Sequence, residues 1–123
     1  QGAYAGRKLM DAGALIANGS DFPVESPNPF FGLHASITRQ DKGNDPVGGW
    51  YPEERMTDSE AFASFTLDAA YSGFQESLLG SLEPGKKADF IVLDRDIFAI
   101  PDSEIWQAKA LETWVNGTQV HGE

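Results

Sequence analysis

Hydrophobic and polar positions alternate along the 123-residue chain in two distinct periods, and the change of period divides it. From Gly2 to Ala12 the small and apolar positions Tyr4, Ala5, Leu9 and Ala12 recur at helical spacing, and Gly13 follows as a C-cap. Ala14 to Ala17 is then a short apolar run without alternation, the pattern of a parallel strand buried on both faces. Thr57-Asp-Ser-Glu60 has the capping-box spacing, with Phe62, Phe65 and Ala69 lining one face after it, which predicts a helix from Asp58 to Ser72 that stops at Gly73. The Phe pair reads as core packing.

Beyond Gly80 the period shortens toward two. Ala88 to Asp94 reads as a strand, and Leu111–Val115 and Thr118–His121 flank Asn116-Gly117. Asn-Gly between strand-forming residues is a hairpin signal, because both central positions of a type I′ turn need positive φ. The C-terminal third is therefore expected to be antiparallel β. Between the strands, "PDSEIWQAKA" predicts a short helix with Asp102 or Ser103 as N-cap. Two sequons, Asn18-Gly-Ser20 and Asn116-Gly-Thr118, fall at a strand end and in a tight turn and are read as chance matches.

Residues 22–57 hold Pro23, Pro27, Pro29, Pro46 and Pro52 and the cluster Gly48-Gly49-Trp50-Tyr51. Structureless stretches this long inside compact domains are usually functional. Within this one, Pro29 to Arg39 is compatible with a short helix, whose His34, Thr38 and Arg39 are expected to face solvent, with a pocket as the other reading.

Composition narrows the function. With 41% hydrophobic residues the chain supports one modest core, so it is one domain or a piece of one. Nine Lys and Arg against 19 Asp and Glu give a net charge of −10, and the basic residues are scattered apart from Lys86-Lys87, which makes nucleic acid and anionic membrane poor partners. The chain has no cysteine, so thiolate metal sites and thiol nucleophiles are excluded and only oxygen and imidazole could bind a metal. No apolar run approaches transmembrane length. The first residues read as the inside of a helix without an initiator Met, so a segment of a longer protein is expected. The compartment is undetermined; the cytoplasm is favoured, with any targeting segment lying upstream.

The candidate chemistry begins at "LIANGSDFPVE", where the apolar run breaks into Gly19, Ser20 and Asp21. A carboxylate at the mouth of a buried strand needs a metal, a cation or backbone N–H groups. Asp followed by Phe22-Pro23 is equally ordinary turn chemistry. Residue types alone leave both open.

Four stretches in order, "DAGALIANGSDFPVESPNPFFGLHASITRQ", "GGWYPEERMTDSEAFASFTLDAAYSGF", "GSLEPGKKADFIVLDRD" and "TWVNGTQVHGE", together span nearly the whole chain. In this order the chain resembles the C-terminal end of amidohydrolase family 3, a group of metal-dependent hydrolases. The resemblance implies an α/β fold with an antiparallel part: the end of a (β/α)8 TIM barrel over residues 1–79, with the last strand at Ala14–Gly19, then part of a β-sandwich over residues 80–123. It implies that Asp21 is a metal ligand and the catalytic carboxylate, taking a proton from metal-bound water and passing it to the leaving group. It further implies a divalent metal, zinc-type, in the intact enzyme. A lone Asp does not hold zinc tightly, so the segment alone is expected to bind none and to be inert. The loop after the last strand shapes the pocket in such enzymes, which makes Glu25, Asn28, Phe30, Arg39 and Trp50 candidate substrate contacts. The other reading of Phe30, Phe31 and Trp50 is as anchors that hold the loop against the barrel.

The expected activity is therefore hydrolysis of a carbon–nitrogen bond other than a peptide bond in a small amide-type substrate, with a homo-oligomer compatible. The alternative from a different class is a non-catalytic acidic α+β interaction module.

Overall fold

The computed structural model describes residues 4–122. In order, these form α1 (Gly6–Asp11), α2 (Pro29–Thr38), a 3₁₀ turn at Pro52–Glu54, α3 (Asp58–Phe65), α4 (Leu67–Ser72), β1 (Phe90–Leu93), a 3₁₀ helix at Asp102–Gln107, β2 (Ala110–Val115) and β3 (Thr118–His121). The three strands make one open antiparallel sheet in the order β1-β2-β3. The result is an α/β domain with four α-helices and a small antiparallel sheet. The expected closed parallel (β/α)8 barrel is thereby corrected, since every strand pairing among the described residues is antiparallel and the sheet is open.

Local chemistry explains most element ends. Helix α1 ends in a complete Schellman arrangement: Gly13, at φ 89°, donates its N–H to Met10 O at 2.8 Å, and Ala14 N donates to Leu9 O at 3.0 Å. The expected start of this helix at Gly2 lies outside the described residues. Helix α2 begins where Pro29 sits at the first turn and Asn28 Oδ1 accepts from Phe30 N at 3.0 Å. Helix α3 carries the predicted capping box, with Glu60 N donating to Thr57 Oγ1 and Thr57 N to Glu60 Oε2.

The predicted single helix from Asp58 to Ser72 is instead two. Thr66 breaks it at φ −125°, ψ −90°, with its hydroxyl donating to Phe62 O at 2.8 Å and its N–H to Ala63 O. The backbone of Gly80 lies against this break, so closely that a Cβ there would stand 2.9 Å from Leu67 Cα. Tertiary packing, invisible to periodicity, thus sets the break.

The hairpin is built as its sequence predicts. Asn116 and Gly117 take φ 50° and 75°. The turn is tied to the approach of β1: Asn116 N donates to Asp89 Oδ1 at 2.7 Å and Gly117 N to Ala88 O at 2.9 Å. Across the strands Phe90 stacks on Trp114 with ring centroids 5.5 Å apart. The short helix between β1 and β2 is 3₁₀ and begins after Pro101, without the side-chain cap expected from Asp102 or Ser103.

The core sits between the helices and the 97–108 segment. Phe30, Leu33 and Ile37 of α2 meet Met56, Ala61, Ile97, Ile105 and Ala108. On α3 the fully enclosed positions are Ala61 and Ser64, while Phe65 packs against the core and Phe62 lies outside it, edge-on to Phe98. Two ion pairs pin α1 over this layer. Arg7 forks onto the capping-box Glu60, and Lys8 Nζ meets the buried Glu54 at 2.6 Å. Arg7 and the Thr57 backbone hold the Glu60 carboxyl well below its usual range, at about 2, and Lys8 likewise lowers Glu54. No helix among the described residues is long and apolar enough to cross a membrane.

The expected last barrel strand, Ala14 to Gly19, forms no strand, and Leu15 is 59% exposed. A parallel strand needs partners distant in sequence, and among the described residues no neighbouring strand flanks this stretch.

Candidate functional site

The stretch that leads to Asp21 is positioned by Ile16, which packs against the core, and by the hydrogen bonds of Asn18. Asn18 donates its backbone N–H to Ser64 O at 2.9 Å and its side-chain amide to Ser64 Oγ at 2.9 Å, fastening this otherwise unpaired segment to the buried face of α3. Ser64 can serve because its own hydroxyl donates to Ala61 O, leaving lone pairs for Asn18. Past this anchor the chain turns outward. Asp21 takes a left-handed φ of 50°, and Val24 N donates to its carbonyl at 2.9 Å. The turn read from Asp-Phe-Pro therefore forms, and the Asp21 carboxyl stands exposed at its corner.

Beside this turn lies a cavity of about 770 Å³. Four of the five expected substrate contacts, Glu25, Asn28, Arg39 and Trp50, line it together with Ser20, the neighbour of Asp21. Phe30 does not: it is 5% exposed and belongs to the core. Successive helical residues point about 100° apart, and it is Phe31 that reaches the cavity wall. The sequence reading missed Phe31, Tyr4 and Phe65 as wall residues. For Phe31 the signal was present, because a Phe pair on an amphipathic helix cannot bury both rings in one stripe.

Against the solvent-facing reading, His34 and Thr38 are 1% and 5% exposed, and His34 borders the cavity, the other reading offered for it. Thr38 donates to His34 O at 2.7 Å. The His34 ring bridges elements, with Nδ1 3.0 Å from Asp102 O and Nε2 2.9 Å from Asp41 O. A neutral imidazole donates one N–H, so the tautomer decides which of the two carbonyls it answers.

Arg39 caps α2 in the left-handed region at φ 60°. Its Nε donates to Trp50 O at 3.0 Å and its Nη1 to Tyr4 O at 3.2 Å, with the guanidinium carbon 5.1 Å from the Trp50 ring centre. Tyr4 and Tyr51 stand edge-on to that ring. Arg39 thus gathers the aromatic cluster of the long loop around the cavity.

The expected zinc-type centre is corrected by the same geometry. Among the described residues no group of three or more His, Asp and Glu side chains converges to hold a metal ion. Both His34 nitrogens are occupied by backbone carbonyls, and His121 is exposed at the end of β3. Asp21 alone supplies one carboxylate where a catalytic zinc takes about three protein ligands, so these residues by themselves do not fit the ion.

An anchored turn and its exposed carboxyl thus lie beside a loop-walled cavity. The model of the amidohydrolase family matches residues 1–121, and the chain belongs to this metal-dependent family. It is 34% identical to the protein LONG AFTER FAR-RED 3 of Arabidopsis thaliana over 97% of this chain and 20% of that protein. It is 31% identical to the N-substituted formamide deformylase of Arthrobacter pascens over 90% of this chain and 20% of that enzyme. In structure it resembles an amidohydrolase from Thermotoga maritima, with a TM-score of 0.69 and 22% identity over 98% of this chain and 26% of the other. The chain thus spans about a fifth of the length of these curated relatives and shares the fold of a part of a larger amidohydrolase.

Proposed function

We propose that this chain is the C-terminal part of an amidohydrolase that cleaves a carbon–nitrogen bond, other than a peptide bond, in a small amide-type substrate. In this reading residues 1–79 contribute to the catalytic site and residues 80–123 to a separate β domain. Asp21 carries a proton between the attacking water and the leaving nitrogen, an exchange for which an exposed carboxylate at a rigidly anchored corner is suited. Glu25, Asn28, Arg39 and Trp50 contact substrate. The remaining catalytic groups, including those that would complete a metal site, come from the parts of the enzyme that this chain does not span, so the segment alone is inactive.

The observation that carries this reading is the family match across residues 1–121 together with coverage of only about a fifth of the relatives' length. A piece that holds one carboxylate corner and one wall of a cavity is what such coverage leaves. The relative named as an N-substituted formamide deformylase suggests where to begin. The intact gene product, incubated with N-substituted formamides and N-acetyl amines, is expected to release free amine while the 123-residue chain releases none. Amine release by the chain alone, or none by the intact protein on any amide, contradicts the proposal.

A further inference from the structure

Between residues 16 and 21 the chain passes from one cavity to another. Ile16 and Asn18 border the smaller one, with Ser36, Glu54 and Met56, whereas Gly19 and Ser20 line the larger. The crossing falls at Gly19, where an added Cβ would meet nothing within 4 Å, so packing does not fix its torsions. Among the described residues Gly19 and Ser20 make no hydrogen bond, and Asp21 makes only the one that Val24 N donates to its carbonyl inside the turn. On the far side, residues 22–27 are exposed up to the Asn28 cap of α2. The Asp21 corner therefore takes its orientation from the last fixed residue before Gly19, which is Asn18.

Asn18 is fixed twice by one partner. Its backbone N–H and its Nδ2 donate to Ser64 O and Ser64 Oγ, each at 2.9 Å. Two bonds from separate atoms of one residue set its orientation as well as its distance, which a single bond does not. Ser64 is rigid in turn: it is 0% exposed on α3, and its hydroxyl proton is committed to Ala61 O at 2.6 Å, which turns a lone pair toward Asn18. The other acceptors near Nδ2 are poor substitutes, Ser36 Oγ at 3.5 Å and Met56 Sδ at 3.9 Å.

The geometry points to Asn18 and Ser64 as a positioning pair for Asp21, in which a buried hydroxyl of α3 sets where the exposed carboxyl stands beside the larger cavity. This rests on the proposed role of Asp21 in amide hydrolysis and deepens it: the placement of that carboxyl is controlled from behind the site, by residues that touch no substrate. Proton transfer needs the two groups within hydrogen-bond reach, and a misplacement of about 1 Å costs about 10²-fold in rate.

The test is a kinetic cycle in the intact gene product. Asn18→Leu keeps the side-chain volume and the backbone bond and removes the Nδ2 donor, and Ser64→Ala removes its acceptor. Each is expected to lower kcat about 10- to 100-fold with KM changed less than about twofold. In an Asp21→Asn background neither has a further effect on kcat, because the carboxyl that the pair places is gone. Gly117→Ala, which weakens the fold far from the tie, leaves kcat in place. An unchanged kcat, a loss confined to KM, or the same fold-loss with and without the Asp21 carboxylate overturns the inference.

Should Asn18→Leu fail to fold, which circular dichroism reports, Ser64→Ala decides, since it leaves the backbone bond in place. A second readout needs no turnover: hydrogen exchange of residues 19–24, followed by mass spectrometry in the same protein, is expected to quicken about tenfold in either variant. Unchanged exchange overturns the inference. The two proposals fail separately. Amide hydrolysis undisturbed in both variants removes the positioning pair alone, whereas a corner that loosens on losing the tie, in a protein that hydrolyses no amide, removes the proposed activity alone.

Discussion

The C-terminal hairpin and the stretch from Ala14 to Gly19 read equally well as strands, yet only the hairpin forms them. The difference lies in where each finds its partner. Leu111–Val115 pairs with Thr118–His121 across a two-residue turn, and the turn is itself bonded to the chain entering β1. Everything that this sheet needs is local or nearly so. The earlier stretch pairs with no strand among the described residues and is held by Asn18 on Ser64 and by Ile16 against the core. One region is closed by its own strand pairs and the other is not, and Asp21 lies at the end of the unpaired one.

The largest expected effect probes the unpaired region. In the intact gene product Asp21→Asn should lower amide turnover about 10²- to 10⁴-fold, the range for a lost general acid–base, with the circular dichroism spectrum unchanged. Retention of most activity would show that the proton moves through another group. Glu25→Gln, on the same turn, serves as the control for charge alone.

The next effect contrasts the core with the outer sheet surface. Ile105 is 1% exposed between α2 and the rest of the core, so Ile105→Ala should cost about 2–5 kcal/mol in urea unfolding. Val120 on β3 is 60% exposed, and Val120→Ala should stay within about 0.5 kcal/mol. Similar losses at both would mean that the sheet's outer surface is packed against something in solution.

A smaller effect is expected at the turn that completes the hairpin. Gly117 has φ 75°, so Gly117→Ala should lower stability by about 1 kcal/mol, read from the denaturant midpoint. An unchanged midpoint would show that the turn does not set the register.

The smallest concerns acid. Glu60 is lowered from 4.5 to about 2 by Arg7, and Asp94 from 3.8 to about 2 by Arg95 and the Lys109 N–H. For carboxyls depressed in the folded state, the stabilisation is complete above the unfolded values and disappears as pH falls through the folded ones. Melting temperature should therefore decline from about pH 4.5 toward pH 2, and Glu60→Gln should flatten part of that decline. A decline identical in the variant would assign it to other groups.

What could be read from the sequence follows the same division. The capping box at Thr57, the Schellman end at Gly13, Asn28-Pro29 and Asn116-Gly117 all act within a few residues, and each forms as its residue types dictate. The break at Thr66 was not legible, because it is packed by Gly80, fourteen residues away. The expected barrel failed for a related reason: closure needs strands that this chain does not bring to its sheet. Glu25, Asn28, Arg39 and Trp50 were named from the resemblance, and they line one cavity because the long Pro-rich loop folds around it. Phe30 follows the anchor reading and enters the core, a choice between two adjacent aromatic rings that spacing alone does not make. His34 and Thr38 were read as solvated because polarity was weighed without the backbone carbonyls that receive them.

The central claim, that residues 14–20 are held by the Asn18–Ser64 tie and the packing of Ile16 rather than by strand pairing, is tested most directly by amide hydrogen exchange of Leu15, Ile16 and Ala17 beside that of β2 and β3. The account expects rapid exchange at Leu15, Ile16 and Ala17 and strong protection of the β2–β3 amides. Protection of residues 15–17 equal to that of the hairpin would contradict it and show that the stretch is paired as a strand.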